Sequence, residues 1–195
     1  MQYCENRGAS AHGGRPGPGY GGSCFPKDTL ALVRTAQEHD VPCRIVEAVV
    51  EVNAAQKARM IKKIRGALGG SEAGKTLAVL GLTFKPETDD MRDAPALAIL
   101  PGLMEKGARI NAHDPMGVDE ARSLLPDSVV YHDDIYQTLE GADAVVLMTE
   151  WNAYRSLDLG HVRSLMSGNV FIDLRNVYEP EHMSKAGFAY YGVGR

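Results

Sequence analysis

The chain has 195 residues, 44% of them hydrophobic and 24% charged, with a formal net charge of −4. That length allows one domain, or one and a half, with a real core. The slightly acidic balance gives no basic excess for nucleic acid or an anionic membrane surface, and no run approaches the roughly 18–20 apolar residues that cross a bilayer.

The opening segment MQYCENRGASAHGG contains no apolar stretch of the kind a signal peptide needs. The three cysteines, Cys4, Cys24 and Cys43, form neither a metal pair nor a disulfide framework, which fits a reducing cytoplasm. Glycine is concentrated at the front, with seven of the 21 glycines in the first 22 positions. Residues 1–14 are polar and without periodicity, so a disordered tail is expected. Residues 15–28, RPGPGYGGSCFPKD, read as a Pro/Gly loop. The literal G-x-G-x-x-G of Gly17, Gly19 and Gly22 follows a polar tail rather than a strand, so it is not a dinucleotide fingerprint. The segment is either a flexible linker or, since Pro16, Pro18 and Pro26 stiffen it, a shaped loop whose amides approach an anion or a sugar.

A helix is expected after Asp28, which stands where an N-cap would. Cys24 lies four residues earlier. It is either a small buried apolar side chain or a nucleophile; a helix N-terminus ahead of it and Lys27 beside it suit a negatively charged sulfur. Asp28 could cap the helix, serve catalysis, or both. The next helix is the longest feature, about 44–68, with Ile45, Val49, Val52, Ala55 or Gln56, Met60 and Ile64 at three- and four-residue steps. At 1.5 Å per residue it is about 35 Å long, enough to join two domains or two subunits.

From Lys75 strands alternate with helices. Strands are expected at 77–84, 108–114, 129–132, 144–149, 170–174 and 188–194. Helices are expected near 94–106, 117–125, 133–140, 151–166 and 180–186. The alternation predicts an α/β fold with a parallel sheet and right-handed crossovers. Ligands in such sheets bind beyond the carboxyl ends of the strands. There, FKPETDDMRDAP (84–95) is either a solvated loop with Asp93 capping the next helix, or a place where Lys85 and Arg92 meet phosphates. Arg175 either pairs with Asp173 or meets an anion or a ribose. No His, Cys, Asp or Glu cluster has metal-ligand spacing, and Trp151 reads as a packing residue.

Five stretches carry a resemblance: GPGYGGSCFPKD (17–28), VLGLTFKPETDDMRDAPAL (79–97), AHDP (112–115), ADAVVLMTEWNAYRSLDL (142–159) and IDLRNVY (172–178). In this order they resemble the UDP-glucose/GDP-mannose dehydrogenase family, and TEW and DLRNVY favour its UDP-glucose branch. The resemblance implies oxidation of UDP-glucose to UDP-glucuronate in two hydride transfers to NAD, with a cysteine holding the sugar as a thiohemiacetal and then a thioester. Cys24 matches that cysteine, and Asp28 matches a residue assisting beside it. Arg15, Pro16, Gly17, Pro18, Gly19, Tyr20 and Gly21 match the loop around the sugar. Phe84, Lys85 and Arg175 match substrate contacts. Cys24, Phe25, Lys27 and Arg92 match residues bordering NAD.

The family's N-terminal NAD-binding Rossmann domain, with its own catalytic lysine and acidic residue, has no counterpart in these residues. The expected organisation is therefore a tail (1–14), a cysteine loop with the central dimerising helix (15–70), and a Rossmann-like UDP-sugar-binding α/β domain (71–195). On this reading the chain is the C-terminal, substrate-binding part of the enzyme, is inactive alone and forms a homodimer. Two alternatives stay open: a non-catalytic UDP-sugar-binding or dimerising module, and a dehydrogenase of another UDP-sugar such as UDP-N-acetylmannosamine.

Overall fold

The computed structural model describes residues 16–194. The expected tail and Arg15 lie outside the described residues. The chain opens with two helices, α1 (Phe25–Glu38) and α2 (Arg44–Ala67). Then follow β1 (Thr76–Leu80), α3 (Ala96–Met104), β2 (Arg109–His113), α4 (Val118–Leu124), β3 (Val130–Tyr131), α5 (Ile135–Leu139) and β4 (Ala144–Leu147). The chain closes with α6 (Asn152–Arg155), α7 (Leu159–Leu165), β5 (Val170–Asp173), α8 (Pro180–Lys185) and β6 (Ala189–Gly192).

The six strands form one parallel sheet in the order β3-β2-β1-β4-β5-β6, a Rossmann-like arrangement. The apolar run of β1 explains its central place. Leu77 and Val79 face one layer of the core with Ile99, Leu100 and Leu103 of α3. Ala78 and Leu80 face the other with Tyr154, Val162, Phe171 and Met183. A strand covered on both faces needs no polar alternation.

Helix α2 is two helices in one. Its C-terminal half docks on the domain through Met60 and Ile64, which are fully buried and contribute about 1.5–3 kcal/mol each. Arg65 then grips buried Glu72 with both Nε and Nη2, at 2.8 and 2.6 Å, which fixes the turn into β1. Its N-terminal half reaches past the sheet and leaves Ile45 81% and Val52 61% exposed. Helix α1 packs on α2 and buries only Pro26, leaving Phe25, Leu30 and Leu32 exposed.

Three local expectations need correction. Helix α1 begins at Phe25 with Cys24 at the N-cap position, so Asp28 lies in the first turn and caps nothing. Pro26 favours this earlier start, because a helix's first turn tolerates a missing N–H. Helix α3 begins at Ala96 after Pro95, and Asp93 is not its cap but takes a left-handed conformation at φ +51°. Strand β1 ends at Leu80 rather than 84, because the following amides are drawn away to Asp114.

Candidate functional site

The strand order reverses between β1 and β4, and the crevice beyond their carboxyl ends is the expected ligand position. Asp114, just after β2, shapes the loop that leaves β1. Its Oδ2 accepts from Leu82 N (2.7 Å), Thr83 N (3.2 Å), Thr83 Oγ1 (3.2 Å) and Trp151 Nε1 (3.3 Å). Its Oδ1 accepts from Met116 N (3.0 Å) and Gly117 N (2.8 Å). Buried Trp151 is thus a packing residue with its N–H satisfied, as expected. The loop shaped by these bonds leads into half-buried Phe84, which packs against the core, and exposed Lys85.

Arg175 follows β5 and joins the three strand ends. Its Nε donates to Met148 O at 2.9 Å, its Nη2 donates to Phe84 O at 3.0 Å, and Glu150 Oε2 lies 3.0 Å from Nε. Only its backbone N–H meets Asp173. Its side chain is 15% exposed and that of Glu150 13%. Burial pulls the Arg175 guanidinium below its ordinary range, while Glu150 and Asp173 oppose that shift.

The glycine loop is a spacer between α2 and the β1–α3 loop. Gly19 has φ +120°, and a Cβ there would stand 2.8 Å from Asn53 Oδ1. A Cβ on Gly21 would stand 2.5 Å from the Asp93 carbonyl oxygen. Any side chain would therefore push the loop off one wall or the other. Gly22 N donates to Arg92 O at 2.7 Å, and Lys57 Nζ donates to Asp93 O at 3.1 Å, so both walls are tied together. Lys57 is half-buried, and desolvation lowers its ammonium below the ordinary lysine range against the pull of Asp93.

The loop ends at the exposed thiol of Cys24. Its Sγ lies 3.6 Å from Ser23 Oγ, and its carbonyl accepts Asp28 N at 2.9 Å. Asp28 is exposed and pairs with Lys27 at 3.3 Å. Arg92 clasps Asp90 with Nε and Nη2, both at 2.9 Å, which holds the Asp90 carboxyl below its usual range. Arg92 also lies within electrostatic reach of Cys24.

One cleft of about 1210 Å³ gathers Gly17, Gly19, Tyr20, Gly21, Phe25, Phe84, Lys85 and Arg175, all anticipated from the sequence. Pro16, Pro18, Cys24, Lys27, Asp28 and Arg92 are not part of its lining; Cys24 stands just past it, next to Phe25. Lys85 Nζ lies 5.3 Å from the Phe84 ring centroid, and its charge reaches Asp90 and helps to hold that carboxyl low. The cleft also takes residues that sequence reasoning missed: Arg44, Asn53 and Gln56 of α2, and Glu150 after β4. A signal for the α2 set existed. Asn53, Gln56 and Lys57 are polar at i, i+3 and i+4, one face of an otherwise apolar stretch of helix.

Residues 78–180 match the family model described as the UDP-binding domain of the UDP-glucose/GDP-mannose dehydrogenase family. Residues 3–55 match the central domain of the same family. The chain belongs to the UDP-glucose/GDP-mannose dehydrogenase family. A UDP-glucose 6-dehydrogenase of Rhizobium meliloti is 50% identical over 179 residues, covering 92% of this chain and 41% of that protein. UDP-glucose 6-dehydrogenase TuaD of Bacillus subtilis is 41% identical, covering 93% and 39%. The chain thus spans about two fifths of the length of the curated relatives it matches. A UDP-glucose dehydrogenase structure from Pyrobaculum islandicum aligns with a TM-score of 0.78 at 38% identity, covering 91% of this chain and 38% of that one. An NDP-N-acetyl-D-galactosaminuronic acid dehydrogenase structure from Methanosarcina mazei aligns with a TM-score of 0.81 at 31% identity, covering 92% and 39%.

Membership raises the question of a dinucleotide at this sheet, and the switch point does not fit one. Dinucleotide folds leave an acidic residue free to meet the ribose and open the first turn with spaced glycines. Here both oxygens of Asp114 are occupied by the chain's own N–H and O–H groups. Gly81 is followed by Leu82 and Thr83, and a Cβ on Gly81 would run into Thr149.

Proposed function

We propose that this chain provides the sugar-nucleotide side of a UDP-glucose 6-dehydrogenase, the enzyme that oxidises UDP-glucose to UDP-glucuronate with two NAD. One observation carries the reading: the glycine loop, the Phe84–Lys85 turn and Arg175 come from three distant stretches of sequence and line one cleft. Lys85 offers an exposed ammonium to the diphosphate, and Arg175 holds the turn that presents it. Gly17, Gly19, Tyr20 and Gly21 wall the sugar in this reading. Cys24 is the nucleophile that holds the oxidised carbon as thiohemiacetal and thioester, and Asp28 assists near the sulfur and its water. Cys24, Phe25, Lys27 and Arg92 border an NAD held mainly outside this sheet. Such work suits the cytoplasm, where the cysteines stay reduced; no described helix is long and apolar enough to cross a membrane.

The test is Lys85→Ala. Losing one charge-assisted phosphate contact of about 1.5–3 kcal/mol should weaken UDP about 10- to 100-fold by calorimetry. Unchanged affinity would remove Lys85 from the site. The purified chain is also expected to reduce no NAD alone, since the dinucleotide does not fit its switch point.

In the same reading the second partner is another copy of this chain, met through α2. The exposed Ile45, Val49 and Val52 form an apolar stripe along the α2 side of the same cleft, of the kind that association covers. Light scattering at micromolar concentration should give a dimer mass, and a monomer mass would contradict this assignment.

A further inference from the structure

We propose that Asn53 is a positioning residue that sets sugar recognition, acting through the backbone of Tyr20. The inference rests on the reading of the glycine loop as the sugar wall. The Asn53 carboxamide answers both polar groups of one residue: Tyr20 N donates to Oδ1 at 2.8 Å, and Nδ2 donates to Tyr20 O at 3.2 Å. This double bond pattern admits only one orientation of the amide. One turn on, Gln56 Nε2 donates to Gly17 O at 2.8 Å. The loop has no strand or helix of its own: Gly17 and Tyr20 borrow their hydrogen-bond partners from α2, and Gly22 borrows one from the β1–α3 loop.

The geometry divides the cleft into two supports. Lys85 and Arg175 stand on strand-end loops of the sheet. The glycine wall stands on α2 at Gly17 and Tyr20 and on the β1–α3 loop at Gly22, and α2 is anchored to the sheet domain two turns further on by Met60 and Ile64. Asn53 is the link that sets the spacing between the phosphate groups and the wall. The absence of a Cβ at Gly19 lets its amide side chain come close enough to do so. Tyr20, held in this way, places its ring edge-on to Phe25 at 4.7 Å between centroids, next to Cys24. The recognised class is the pyranose of a UDP-sugar, and the uridine diphosphate end depends on Asn53 less than the sugar does.

The test compares UDP and UDP-glucose binding to the full chain, by calorimetry, for wild type, Asn53→Ala and Asn53→Asp. Amide exchange at Tyr20 is followed in parallel. Loss of both bonds in Asn53→Ala should reduce the advantage of UDP-glucose over UDP about tenfold, with a smaller loss for UDP itself. Asn53→Asp keeps the acceptor for Tyr20 N and should recover part of that advantage. Tyr20 should exchange faster in Asn53→Ala while Val79 and Val146 in the central strands stay protected. Equal losses for UDP and UDP-glucose, or no wild-type advantage of UDP-glucose, would overturn the proposal. A chain that binds neither ligand would refute the site reading instead. The Tyr20 exchange then still decides the positioning: unchanged exchange in Asn53→Ala overturns it. If Asn53→Ala also exposes Val79 and Val146, Asn53→Asp carries the comparison.

Discussion

Arg175→Met is expected to lower the melting temperature by about 10 °C and to abolish measurable UDP binding. The side chain is buried, donates to the Met148 and Phe84 carbonyls and lies against Glu150. Methionine replaces its aliphatic stem and none of its donors. The substitution strands Glu150 as a buried carboxylate without its cation, a loss of about 3–5 kcal/mol. For a chain of this size each kcal/mol corresponds to about 2–4 °C. The binding loss follows separately, because Nη2 is what holds the Phe84 carbonyl and hence the turn carrying Lys85. Arg175→Met,Glu150→Met removes both charges together and should recover most of the stability but not the binding. A single variant with wild-type melting would show that the Arg175–Glu150 contact is not a structural tie.

Asp114→Asn should have the second largest effect. The carboxylate accepts from six groups spread over Leu82, Thr83, Met116, Gly117 and Trp151. An amide turns one of those acceptor oxygens into an N–H donor that faces other donors. The expected cost is about 3 kcal/mol, read as a lower denaturation midpoint. UDP affinity should fall about tenfold, since Leu82 and Thr83 lead straight into Phe84 and Lys85. A stable variant with normal UDP binding would mean the loop keeps its course without Asp114.

These two residues illustrate what the sequence reveals and what it hides. The sheet was legible because LAVL and VFID are apolar runs too short for helices. The long helix was legible because its spacing persists for six turns. Lys85 and Arg175 were visible as cations after strands, where parallel sheets hold ligands. The partners of Arg175 were not, since Met148, Glu150 and Phe84 meet it only once three strands are in register. The glycines of GPGYGG suggested close backbone approach, and the structure supplies the surfaces approached: Asn53, Phe84 and Asp93. That geometry comes from packing across 30 to 70 residues of separation, beyond any local pattern. The start of α1 was misplaced for a smaller reason: an acidic residue drew attention from Pro26, which marks the true first turn.

The central claim is that a UDP-sugar lies in this cleft with its reacting end at Cys24. Alkylation of Cys24 by iodoacetamide, with half-buried Cys43 as internal reference, tests it most directly. UDP-glucose at about ten times its Kd should slow labelling of Cys24 about tenfold and leave Cys43 unchanged. Labelling of Cys24 at the same rate with and without saturating UDP-glucose would contradict the account.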